Sequence, residues 1–209
     1  MIRVFISDDH AIVRKGFCQI IEEIDDMEVA GEAANGDEVL QQVVKSEWDV
    51  LVLDLSMPGR SGIDVIQAVR NLKPKLPILV LSMHPEDQYA IRLLKNGIAG
   101  YISKEMALEN LVTAIRKVVA GGKYVSDTLA EKLVFDLTGP TTQGSHEALS
   151  DREYRVLCMI GEGKSVSKIA AELFISVKTV STYRTRILEK MNMTTTADII
   201  RYAIENNIR

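Results

Sequence analysis

The feature that most constrains this chain is an alternation running through its first 120 residues. Short apolar runs bounded by turn-forming residues occur at 4–6, 50–53, 78–81 and 101–102, with a weaker one at 28–33. They read as buried strands. Segments of helical period lie between them: Ile12, Val13, Phe17, Ile20, Ile21 and Ile24; Val39, Leu40, Val43 and Val44; Ile63, Ile66 and Val69; Leu108, Leu111, Val112, Ile115, Val118 and Val119. Strands apolar on every residue have no face left for water. Alternated with helices, they predict right-handed crossovers and a parallel sheet covered on both faces, an α/β architecture.

After residue 120 the pattern changes. Residues 121–144 begin with Gly-Gly, hold a short helical candidate near 128–136, and end in TGPTTQGSH, the composition of a linker. From 147 onward helical periods continue with no strand signal, which predicts a separate all-helical domain. The division expected is therefore 1–121, a linker with a short helix at 122–146, and 147–209. Charge divides with it. Residues 147–209 carry ten Lys and Arg against eight Asp and Glu, so the total of −4 leaves −6 in the front portion. A net of +2 is too small by itself to imply a nucleic acid partner. No apolar run approaches the roughly 18 residues of a membrane span, and MIRVFISDDH has the pattern of neither a signal nor a transit peptide, so a cytoplasmic location is expected. Cys18 and Cys158 stand 140 positions apart with no partner at ligand spacing and read as buried thiols.

In a parallel sheet, functional groups collect beyond the carboxyl ends of the strands. Asp8 and Asp9 follow the first strand, Asp54 ends the third, Ser82 follows the fourth, and Lys104 comes just after the fifth. Three carboxylates in one pocket repel one another, and a hard divalent cation with oxygen ligands, typically Mg²⁺, relieves that. Such an ion beside a carboxylate also neutralises an incoming phosphoryl group, while an ammonium and a hydroxyl can bind its oxygens. The chemistry suggested is phosphoryl transfer to an aspartate. Each residue alone has a plainer reading: Asp9 could cap a helix starting near Ala11, Asp54 could shape a turn, Ser82 could be a cap, and Lys104 a solvated cation.

These residues taken together resemble the receiver domains of two-component response regulators, over residues 2 to about 120. The resemblance implies a flavodoxin-like doubly wound sheet of five parallel strands in the order 2-1-3-4-5. It implies Asp54 as phosphoacceptor, and Asp9, the Asp54 carboxylate and the Ser56 carbonyl as Mg²⁺ ligands, with Asp8 acting through water. Lys104 and Ser82 would hold the phosphoryl group, and Tyr101 would be the aromatic switch. Ser56 and His84 occupy the positions that tune hydrolysis of the aspartyl phosphate. Many receivers follow the lysine with a proline and a cis peptide bond; here Glu105 follows Lys104.

The helical portion opens with Ser150 and Glu153 in capping-box spacing. Val156, Leu157 and Ile160 form its apolar face, and Gly161 and Gly163 end that helix. Ser165 can cap a second helix and Ser176 a third, eleven positions apart, with a tight turn at 174–176: the spacing of a helix-turn-helix. In the third helix, VKTVSTYRTRILEKM, an inward face of Val180, Ile187, Leu188 and Met191 leaves Lys178, Ser181, Thr182, Arg184, Thr185 and Arg186 outside. Short hydroxyls between cations suit a major groove, although a solvated helix or a protein-binding module has the same pattern. LSDREYRVL followed by GEGKSVSKIAAELFISVKTVSTYRTRILEKMNM is similar to the DNA-binding domain of NarL- and FixJ-class response regulators. That resemblance implies Ser181, Thr182 and Thr185 at bases, and Lys178, Thr179, Tyr183, Arg184 and Arg186 near phosphates. A fourth helix near 196–206, with Ile199, Ile200, Ala203 and Ile204 on one face, would pair two domains on two half-sites. Family members often carry Lys and His where this chain has Ser181 and Tyr183.

The expectation is a transcription regulator that accepts a phosphoryl group from a histidine kinase and then binds promoter DNA as a dimer. It would be no enzyme beyond catalysing its own phosphotransfer and dephosphorylation. An aspartyl-phosphate phosphatase is disfavoured, because it needs a second Asp two positions after the nucleophile and Leu55 and Ser56 follow Asp54. A receiver joined to a protein-binding output is the remaining rival.

Overall fold

The structure, a computed structural model, describes residues 1–58, 60, 62–83, 88–138, 145–206 and 208. They form two compact units, Met1–Glu86 with Leu93–Thr128, and Asp87–Arg92 with Leu129–Arg209.

The first unit is built on β1 (Ile2–Ser7), β2 (Met27–Ala33), β3 (Val50–Asp54), β4 (Ile78–Ser82) and β5 (Gly100–Ser103), all parallel, in the order β2-β1-β3-β4-β5. The helices between them are α1 (Ala11–Glu22), α2 (Gly36–Val43), α3 (Gly62–Leu72) and α4 (Gln88–Lys95), with α5 (Lys104–Val119) after the last strand. The weak candidate at 28–33 is thus a full strand, and the order implied by the receiver resemblance is the one present. β3 and β4 are buried at every residue, as uninterrupted apolar strands demand. One side of the sheet packs Val4, Ile6, Val50, Val52, Leu79 and Leu81 against Phe17 and Ile21 of α1 and Leu111, Ala114, Ile115 and Val118 of α5. At about 25 cal/mol per Å² of apolar surface, the buried Val, Leu, Ile and Phe side chains among these contribute about 1.5–3 kcal/mol each.

Two details aim the functional edge. α5 begins earlier than its apolar period suggested, because the Ser103 side chain accepts from the Met106 N–H and so makes Lys104 the first helical residue. The 104–105 peptide is trans, as there is no cis bond among the described residues. At the start of α3, a Cβ on Gly62 would lie 2.7 Å from the Leu55 Cα, so only glycine lets the helix seat against the loop that follows Asp54. Beyond α5, Tyr124 pairs with the outer edge of β5 through its bridge to Gly100, and α6 (Asp127–Thr138) covers the predicted short helix. Residues 139–144, the core of the predicted linker, lie outside the described residues.

The second unit, which takes in the first residues of α4 and most of α6, continues with α7 (Asp151–Gly161), α8 (Val166–Glu172), α9 (Val177–Lys190) and α10 (Thr196–Glu205). Each starts at a hydroxyl N-cap, Ser150, Ser165, Ser176 and Thr195, whose side chain accepts from the backbone N–H three residues on. Ser150 with Glu153 forms the predicted capping box, and Gly163, at φ +79°, ends the turn after α7. Val156, Leu157, Ile169, Val180, Ile187, Ile199 and Ala203 build the core, and a Cβ on Gly161 would come within 2.6 Å of the Ala203 Cβ, so α7 and α10 approach closely there.

Candidate functional site

Because all five strands run one way, their carboxyl ends share one edge. β3 ends on Asp54 and β4 on Ser82, while Asp8 follows β1 by one residue and Lys104 follows β5 by one. Asp8, Asp54 and Ser82 are fully buried and Lys104 is 8% exposed. The Lys104 ammonium donates to Asp54 Oδ2 at 2.7 Å and stands 2.7 Å from Asp8 Oδ2. One ammonium is thus shared between two buried carboxylates, while Asp9 Oδ1, also shielded from solvent, has the His10 ring nitrogen beside it at 2.8 Å.

Oxygen or nitrogen donors of Asp8, Asp9, His10 and Asp54 lie within 4.8 Å of one another. The surrounding chain holds them there. His10 N–H donates to Asp8 Oδ1 at 2.8 Å, Arg14 donates to the Asp8 carbonyl at 2.6 Å and to Glu32 at 2.9 Å, and Ser56 N–H donates to Asp54 Oδ1 at 3.0 Å. Burial pushes the Asp54 carboxyl above its ordinary value; the Lys104 ammonium and the Ser56 N–H oppose this and the Asp8 charge adds to it. Burial alone would lower the Lys104 pKa, but the hydrogen bond and charge of Asp54, and then of Asp8, outweigh it and hold Lys104 raised. The lysine therefore stays charged at neutral pH, one cation held between two carboxylates. Three clustered carboxylates served by a single ammonium and one imidazole fit a hard divalent cation.

The residues singled out from the sequence are thus largely brought together. Tyr101 is fully buried on β5, and Ser56 is half-buried beside Asp54. His84 lies outside the described residues. Asp9 does not cap α1: the N-cap is His10, which makes no side-chain cap bond, and its Nδ1 sits 2.8 Å from Asp9 Oδ1. His10 and Arg14 were not anticipated. The contiguous Asp-Asp-His was the available signal for the first; the second depends on a contact with Glu32 across two elements.

In the second unit, α9 exposes Lys178, Thr182, Thr185 and Arg186, with Thr179, Ser181 and Tyr183 half-buried. Val180, Ile187 and Met191 are buried as expected. Arg184 differs from its predicted outside position. It is half-buried, with Nε shielded from solvent, because it lies four residues after Val180 and three before Ile187 and so shares their side of the helix. The Tyr183 hydroxyl accepts from Arg152 of α7 at 3.0 Å. Glu153, 2% exposed, pairs with Lys190 at 2.6 Å, tying the start of α7 to the end of α9. Among the described residues no helix is long and apolar enough to cross a membrane.

Residues 4–116 match the response regulator receiver domain family, and residues 147–203 match the luxR family of bacterial regulatory proteins. The chain is 37% identical over 213 residues to the oxygen regulatory protein NreC of Staphylococcus carnosus, covering 99% of this chain and 98% of that one. It is 35% identical over 208 residues to the response regulator GacA of Pseudomonas protegens, covering 100% and 98%. Among solved structures it is similar to RcsB of Salmonella enterica serovar Typhimurium bound to promoter rprA in the presence of the phosphomimetic BeF₃⁻. That match has 27% identity, a TM-score of 0.65, and coverage of 96% of this chain and 97% of RcsB. Both matched families lie on one chain in order, its relatives match it over almost its whole length, and the chain belongs to the response regulators that join a receiver domain to a luxR-type helix-turn-helix domain.

Proposed function

We propose that this protein is a transcription regulator switched by phosphorylation of Asp54, the phosphoryl group coming from a histidine kinase and the output being promoter DNA bound by a dimer. The observation that carries the reading is the buried Lys104 ammonium set 2.7 Å from both Asp8 and Asp54 at one edge of the sheet. A structural ion pair needs one carboxylate. This pocket holds three within 4.8 Å of one another, and one ammonium serves two of them.

Asp8, Asp9, the Asp54 carboxylate and the Ser56 carbonyl would hold Mg²⁺, which when bound supplies charge neutralisation for the incoming phosphoryl group. The Asp54 carboxylate attacks the phosphorus of the kinase phosphohistidine, and as the new P–O bond forms the P–N bond breaks and the imidazole leaves. Lys104 then exchanges its contact with Asp54 Oδ2 for the new phosphoryl oxygens, a charge-assisted bond. Ser82, next to Asp54 at the end of the neighbouring strand, donates to the same group. Its displacement frees space into which Tyr101 packs, and roughly −1.5 to −2 of added charge biases the unit toward that arrangement. Ser56 and His84 set how readily water reaches the acyl phosphate. The chain thereby catalyses its own phosphorylation and dephosphorylation.

In the helical unit, Ser181, Thr182 and Thr185 face bases while Lys178, Thr179, Tyr183, Arg184 and Arg186 lie near phosphates, Arg184 by turning outward from its half-buried place. α10 pairs two such units. Domain limits of 1–121, 122–146 and 147–209, and a cytoplasmic location, go with this reading. Support comes from the RcsB structure described as bound to promoter DNA with a phosphomimetic. The test is labelling with a small phosphodonor and Mg²⁺, followed by intact mass. One phosphoryl adduct is expected on the wild type and none on Asp54→Asn; undiminished labelling of Asp54→Asn would place the acceptor elsewhere.

A further inference from the structure

The stripe of α9 farthest from its core carries Lys178, Thr182, Thr185 and Glu189, spaced i, i+4, i+7 and i+11, all exposed. Val180 and Ile187 lie buried on the opposite side. The two threonine hydroxyls each have a partner on the helix. Thr182 Oγ1 donates to the Lys178 carbonyl at 3.0 Å, and Thr185 Oγ1 donates to the Ser181 carbonyl at 3.1 Å. A hydroxyl has one proton, and here both protons are spent on the helix itself. What each threonine offers outward is a methyl group and oxygen lone pairs.

That decides which base edges this stripe can meet. Guanine shows N7 and O6 in the major groove, both acceptors, which either threonine meets only by giving up its bond to its own helix. Thymine shows its C5 methyl, an apolar partner for the threonine methyl, and adenine N6 and cytosine N4 show donors that the lone pairs can accept. The segment VKTVSTYRTRILEK contains no Asn or Gln, the residues that read adenine in a bidentate manner. Lys178 is the single cation of the stripe and stands at its amino-terminal end.

We infer that Thr182 and Thr185 determine sequence preference by packing their methyl groups on thymine methyls, with their oxygens accepting from adjacent adenine or cytosine amino groups. This rests on the reading of α9 as the helix that enters the major groove.

The experiment uses the full chain, treated with a small phosphodonor and Mg²⁺, to select duplexes from a random pool. The preferred duplex is then remade with uracil replacing thymine at one position at a time, which removes only the C5 methyl. Binding weakens about fourfold at one or two positions per half-site, the value of one buried methyl. Thr182→Ser and Thr185→Ser each abolish the sensitivity at one of those positions, whereas Thr182→Val and Thr185→Val keep it. Equal binding of every uracil-substituted duplex, or full uracil sensitivity in the serine variants, overturns the inference. Failure of any duplex to be enriched overturns it too, and with it the reading of α9 as a DNA-binding helix.

Discussion

Replacing Lys104 by Met tests the electrostatics of the pocket most severely. The methionine keeps most of the stem and removes the ammonium that stands 2.7 Å from Asp8 Oδ2 and Asp54 Oδ2, both fully buried. Removing one partner of a buried charged group leaves the rest uncompensated and costs about 3–5 kcal/mol. That is a large share of the roughly 5–15 kcal/mol that stabilises a typical domain. Burial and the Asp8 charge already raise the Asp54 pKa, and Lys104 is the main influence holding it down, so its loss lets Asp54 protonate more readily. The penalty should therefore shrink as pH falls. Asp54→Asn in the Lys104→Met background should recover more than half of it, because only one fully buried carboxylate remains. Urea unfolding followed by Trp48 reads this unit alone: Trp48 is the only tryptophan, stacked on Phe5 of β1 at 4.6 Å. Mg²⁺ in hundredfold excess over its Kd should return about 2.7 kcal/mol. A Lys104→Met protein with the wild-type midpoint at neutral pH in chelator would refute this account of the pocket.

Further outcomes can be checked separately. Asp54 has a raised folded pKa, so its ionised form opposes folding at neutral pH and that penalty disappears as pH falls through the folded pKa; Asp54→Asn should be at least as stable as wild type at neutral pH, and urea midpoints across pH should converge on acidification. Glu153 behaves in the opposite sense: burial alone would raise its pKa, but bonds from Lys190 and Ser150 outweigh burial and hold it low, so the stability it contributes is present above the ordinary glutamate range and lost as pH falls through the depressed value. Glu153→Ala, which also removes half of the capping box, should cost about 1–2 kcal/mol by helical circular dichroism. Gly161→Val, forcing side-chain atoms onto Ala203, should cost about 1–3 kcal/mol in the same assay. Lys178→Ala should lower DNA affinity for all sequences alike and reduce the slope of log affinity against log salt by about 1.

Much of this molecule can be read before any coordinates, for identifiable reasons. β3 and β4 are apolar at four consecutive positions each, which only a sheet covered on both faces tolerates, and the parallel direction that follows brings Asp8, Asp54, Ser82 and Lys104 to one edge. The serine caps of α7, α8 and α9 are local signals three residues long and are equally legible. What escapes the sequence is long-range. The pairing of Glu153 with Lys190 spans 37 positions and that of Arg152 with Tyr183 spans 31. α5 starts four residues before Leu108, where its apolar period was read to open, because Ser103 supplies the cap, and Leu108 itself is exposed. Arg184 was read as outward by its charge, although its helical phase puts it beside Val180 and Ile187.

The central claim is that a phosphoryl group at Asp54 governs DNA binding. The most direct measurement titrates the full chain against its selected duplex, with and without a small phosphodonor and Mg²⁺, for wild type and for Asp54→Asn. Affinity should rise with the phosphodonor for wild type alone and fall steeply with salt. A phosphodonor-induced rise of equal size in Asp54→Asn, or wild-type binding indifferent to the phosphodonor, would contradict it.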